Sequence, residues 1–90
     1  MTHERALMDD LMREIESVAL AEGAERVTAV SVRLGPLSHF TPDHFREHFR
    51  WASEGGVAEG ASVRVVEWED VEGANAQGVV LAEVEVADPA

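Results

Sequence analysis

The chain has 90 residues, enough for one domain with a small core, and its apolar content of 46% argues against disorder. It contains no Cys, which excludes disulfides, thiolate zinc sites and thiol catalysis, so a bound transition metal would have to use His, carboxylates or backbone nitrogen. With a net charge of −11, no Lys and seven Arg, the surface repels phosphate backbones and favours cations or basic partners over nucleic acid.

Residues 4–22 place Leu7, Leu11, Ile15 and Val18 at helical spacing, with Met8, Met12 and Ala19 beside them, which predicts an amphipathic helix. Thr2 is the expected N-cap and Gly23 occupies the position just past the end. Residues 26–34 alternate, with Thr28, Val30, Val32 and Leu34 on one side, and read as a half-buried strand. Thr41-Pro42 opens a second helix over 42–54 with Phe45, Phe49 and Ala52 inward, and Gly55-Gly56 stops it. Two further strands are expected at 62–69 and 79–87, joined by a polar connection. The resulting fold class is α+β, order α-β-α-β-β, with two helices packed on one face of a three-stranded mixed sheet. No stretch approaches the ~20 apolar residues of a membrane helix. The first ten residues lack the basic and apolar regions of a signal peptide, so the cytoplasm is the expected location.

Four His carry the candidate chemistry. Met1-Thr2-His3 sets an imidazole third from an amine. The amine, two amides and the imidazole can close three fused chelate rings in a plane, which suits Ni(II) or Cu(II). If Met1 is removed, Thr2 supplies the amine and the His stands second. The first amides of a helix have no intrahelical partner and are available for this, although the helix dipole opposes a cation there. A frayed, solvated terminus is the plainer interpretation. His44-Phe45-Arg46-Glu47-His48 spells H-x-x-E-H, the inverted zinc-protease pattern. Phe45 and Phe49 claim the inward face, leaving His44 outward and His48 on a flank, and a chain this short has little room for a substrate groove. His39 lies in the loop between the first strand and the second helix, where it either reaches a metal at the N-terminus or bonds locally. Trp51 and Trp68 adjoin core positions. Glu67, Glu69, Asp70, Glu83 and Glu85 gather on the late strands as a solvated or partner-binding acidic face. There is no phosphate-binding glycine loop and no nucleophile elbow, so nothing points to an enzyme.

Several segments together resemble one family: His3-Glu4 followed by Leu7-Met8, the strand VTAVSVRLG with Leu37-Ser38, Pro42-Asp43-His44-Phe45 opening a helix that ends in WASEG, then AEGASVRVVE and GVVLAEVEV. From residue 3 to about residue 86 this order is similar to the HypA type of hydrogenase nickel-incorporation accessory protein. The resemblance implies a nickel metallochaperone, not an enzyme, that delivers Ni(II) to [NiFe]-hydrogenase with a HypB-type GTPase. Its nickel site would use His3, Glu4 and the terminal residues Met1 and Thr2. His3 and Glu4 sit one position later than in the family, and loss of Met1 would restore the spacing. The family also inserts a zinc-binding segment with two Cys-x-x-Cys pairs between its last two strands. Here a polar linker stands at about 70–78, so residues 1–90 read as a single nickel-binding-type domain without that lobe or a structural zinc. The implied partners are the GTPase and the hydrogenase large subunit, with no nucleic acid and no membrane, and a homodimer is compatible. The rival is a metal-free interaction or scaffold domain working through its acidic sheet face and exposed aromatics.

Overall fold

A computed structural model of the chain describes residues 3–35, 40–67 and 78–87, with side chains from Arg5 to Val66 and from Gly78 within those ranges. The elements follow the expected order: α1 His3–Ala21, β1 Val27–Leu34, α2 Pro42–Ser53, β2 Ser62–Glu67 and β3 Val79–Val86. The expected N-cap Thr2 and the expected β2 residues 68 and 69 lie outside the described residues.

The end of α1 is set by Gly23, at φ 66. Its N–H bonds to Leu20 O at 3.1 Å and the Ala24 N–H bonds to Ala19 O at 2.9 Å, the paired closure that absorbs orphan carbonyls at a helix end. The stripe that α1 buries is Met8, Leu11, Met12, Ile15 and Ala19. Val18 is exposed, against the sequence reading. At about 100° per residue, Leu7 and Val18 fall roughly 80–100° from the centre of that stripe and end up at its margin.

The sheet has the order β2-β1-β3, with β1 parallel to β2 and antiparallel to β3, so it is mixed. The parallel pair needs a long crossover, which α2 provides. Val30, Val32 and Leu34 face the core, but Thr28 does not. Val27 pairs with Val86 and Ala29 with Glu85, so Thr28 is an extra residue on β1. This bulge inverts the alternation and buries Val27 instead, while Thr28 Oγ1 donates to Glu85 O at 3.3 Å.

α1 packs on β3 and α2, and α2 packs on β2, so both helices share one face of the sheet with a common core that includes Phe45 and Phe49. Ala52 is exposed and Ser53 is buried in its stead. After Gly55 the chain folds back, with Gly56 N–H bonding to Ser53 O, and covers that side of the helix end. The Ser53 hydroxyl is satisfied by donating to Arg50 O at 3.2 Å.

Candidate functional site

The connections bring several element ends to one pole. Leu34, the last residue of β1, pairs with Glu67 at the end of β2 and with Val79 at the start of β3. Gly35 N–H bonds to Gly78 O at 2.9 Å at the same place. One stripe of α1, from Met8 to Ala19, is buried, and a short turn joins the helix to β1, so it lies back along the sheet and its first residue His3 belongs to this pole. α2 also starts here, because β2 begins at the opposite end, where Ser62 pairs with Ala29.

Of the sequence-derived site residues, His3 and Glu4 are the first two residues of α1, at this pole. Their side chains, together with Met1, Thr2, His39, Trp68 and the linker from Asp70 to Gln77, lie outside the described residues. Among the described residues there is no group of three or more His, Asp or Glu able to hold a metal.

The first turns of α2 are better defined. Thr41 is the N-cap, its hydroxyl accepting from His44 N–H at 3.2 Å, and Pro42 occupies the first helical positions. Phe40, just before the cap, is buried and meets Phe45 edge to face with centroids 5.5 Å apart. This is the hydrophobic staple that fixes the entry of the chain into a helix. His44 is therefore not turned outward. It is half-buried, with its ring 5.7 Å from Phe40 and 4.5 Å from the ring of His48. His48 is likewise half-buried, 6.0 Å from Phe40 and 5.7 Å from Trp51. Trp51 remains 54% exposed, so it finishes this row at the surface and does not join the core. Phe40 escaped the sequence reading, although a Phe before Thr-Pro and another four residues past the cap is the signal for it.

Of the expected acidic face, Glu83 and Glu85 are described, while the Glu67 side chain, Glu69 and Asp70 lie outside the described residues. Arg64, Ser31 and Glu83 form one cross-strand row, with Ser62, Ala29 and Glu85 in the next. A shallow groove of about 330 Å³ runs over them to Arg46. Arg46 Nε donates to Val63 O at 3.3 Å, which ties α2 to the edge strand, and its Nη1 lies 3.6 Å from Asp43 Oδ1. Positive charge thus borders β2 and negative charge borders β3.

With this geometry in view, residues 1–74 match the sequence profile of the family described as hydrogenase/urease nickel incorporation, metallochaperone, hypA. The chain belongs to the HypA family. It is 41% identical over 69 residues to the hydrogenase maturation factor HypA of Thermococcus kodakarensis, an alignment covering 77% of this chain and 50% of that protein. It is 34% identical over 65 residues to the factor of the same name from Azotobacter chroococcum mcd 1, covering 72% and 58%. The chain therefore spans about half the length of the curated relatives it matches. Its fold is that of the solution structure of the Ni metallochaperone HypA from Helicobacter pylori, with a TM-score of 0.78 over 94% of this chain and 97% of that one at 17% identity. A second HypA solution structure superposes with a TM-score of 0.72. The family description is that of a metal-delivery factor and not of a catalyst. No helix among the described residues is long and apolar enough to cross a membrane.

Proposed function

We propose that this chain is a nickel-binding maturation factor that captures Ni(II) at its N-terminus and assists insertion of the ion into [NiFe]-hydrogenase. The ligands are the terminal amine of Met1, or of Thr2 once Met1 is removed, nearby backbone amides, the His3 imidazole, and Glu4 as the adjoining residue of the family pattern. One observation carries the reading: the HypA profile matches from residue 1, so the terminal segment is part of the resemblance. The start of α1 also supports it, since His3 begins a helix whose first N–H groups have no intrahelical acceptor. Catalysis plays no part. The chain holds the ion and passes it on.

We read residues 1–90 as one nickel-binding-type domain working in the cytoplasm with a HypB-type GTPase and the hydrogenase large subunit, and a homodimer is compatible with this. With no Cys, the chain offers no thiolate zinc lobe, and no structural zinc is needed in this reading.

Calorimetric titration of the untagged chain with Ni(II) tests it. The expected result is a high-affinity phase near one to one that His3→Ala abolishes. If the untagged chain shows no high-affinity nickel phase that depends on His3, the metal-free scaffold reading replaces this one.

A further inference from the structure

The pairing of His44 with His48 goes beyond the terminal site and does not depend on it. Two His one helical turn apart lie on one side of a helix, but on most surfaces their long rotamer freedom must be frozen before both can hold one ion. Here that freedom is already restricted. The buried Phe40 ring packs against both imidazoles, with centroids at 5.7 and 6.0 Å, and Trp51 stands 5.7 Å from His48 on the other side.

The spacing admits two imidazoles on one ion. A metal bound about 2.0–2.1 Å from a ring nitrogen lies about 3.2 Å from the ring centre, so two such rings at right angles around it have centres about 4.5 Å apart. The observed centroid separation is 4.5 Å, with the ring planes 76° apart. A tetrahedral pair would stand farther apart, at about 5.2 Å, by the same bond lengths. An edge-to-face ring pair in ordinary contact has the same spacing, so the distance leaves room for one shared ion and the choice of ion rests on the preference of imidazole for Cu(II) and Ni(II).

We infer that His44 and His48 form a second metal site, a two-imidazole site for a divalent ion of the Cu(II) or Ni(II) type. Among the described residues no third His, Asp or Glu joins the pair, and water can fill the other coordination positions. The site is consequently open and exchangeable. It stands on the first turns of α2, at the pole where α1 begins, where the partial positive charge of the helix N-terminus keeps affinity moderate. Cu(II) binds more tightly than Ni(II), following the usual order of divalent ions.

The test uses the full chain carrying His3→Ala and a His-free N-terminal extension, which together remove the terminal site, with Trp68→Phe so that emission comes from Trp51. Titration with Cu(II) should quench Trp51 saturably at one equivalent, and Ni(II) should compete. His44→Ala or His48→Ala should each weaken binding at least about tenfold, and the double substitution should remove the saturable phase. His44→Gln and His48→Gln keep the side-chain bulk against Phe40 and serve if the Ala variants fail to fold. Saturable quenching that survives the double substitution, in either the Ala or the Gln form, overturns the site, as does an absence of saturable quenching in the parent. Failure of the terminal nickel site shows instead in the untagged chain carrying His44→Ala and His48→Ala, which keeps only that site, so the two results are separable.

Discussion

Phe40 and Phe45 meet edge to face with centroids 5.5 Å apart on either side of the Thr41 cap, and this contact decides where α2 begins and what its first turns present. Phe40 sits at the position before the N-cap and Phe45 at the fourth helical position, so their contact locks the incoming chain against the helix. The same Phe40 ring then supports His44 and His48. A core contact thereby orients two polar side chains at the surface.

Phe40→Ala should lower stability by about 3 kcal/mol, since a buried aromatic is lost and a cavity left behind. Thr41→Ala should cost about 1 kcal/mol, because its hydroxyl accepts the His44 N–H at the cap. Urea unfolding followed by circular dichroism measures both. If Phe40→Ala costs no more than Thr41→Ala, the staple is not holding the helix start.

Gly23→Ala should destabilise by about 1 kcal/mol through backbone conformation alone. Gly23 has φ 66, and a Cβ built there meets nothing within 4 Å, so no steric clash contributes. Gly56 is the control. Its φ is not in the left-handed region and a Cβ would lie 3.5 Å from Ser53 O, an ordinary contact, so Gly56→Ala should change stability by less than about 0.5 kcal/mol. Thermal unfolding of the two variants side by side separates these effects.

Element types and order were legible because each carries its own period and its own punctuation: Gly23, Gly35-Pro36, Thr41-Pro42 and Gly55-Gly56 all stand within a residue or two of an element end. The misplacements have local causes. Strict alternation put Thr28 inward, yet one extra residue on β1 shifts that end of the strand and buries Val27. A bulge depends on the partner strand, and nothing in VTAVSVRL announces it. The apolar pattern points to Ala52, whereas burial at the helix end is decided by the returning turn at Gly56 and by an acceptor for Ser53 three residues back on the same helix. The late strands taken alone suggest an acidic face. The register then set Arg64 and Ser31 beside Glu83, which no single segment could reveal.

His44→Ala combined with His48→Ala should leave the tightest nickel site intact. The helix pair offers two imidazoles and water, while the terminal segment offers an amine, amides and an imidazole in fused chelate rings, which gain from holding several donors in one chain. Nickel titration of the untagged double variant should therefore show the same stoichiometry and midpoint for the high-affinity phase as the parent. Loss of that phase would transfer the principal site to α2 and undo the N-terminal assignment.

The terminal site makes its own demands on protons. An α-amine has a reference pKa of about 8, and amide nitrogens ligate only after losing their protons. Binding of Ni(II) should therefore release protons and weaken steeply as pH falls below neutral, since protons compete with the metal for the amine, the imidazole and each amide nitrogen. Planar nitrogen coordination should give a yellow d–d absorption band in place of the pale green of octahedral nickel. His3→Ala should remove that band, and so should an N-terminal extension, which converts the amine to an amide. Zn(II) should compete poorly, because it prefers a tetrahedral arrangement and does not readily displace amide protons. Calorimetry in buffers of different ionisation enthalpy counts the protons, and absorption spectra follow the band across pH. An extended chain that binds nickel as tightly, with the same spectrum and the same proton release, would show that the terminal amine is not a ligand.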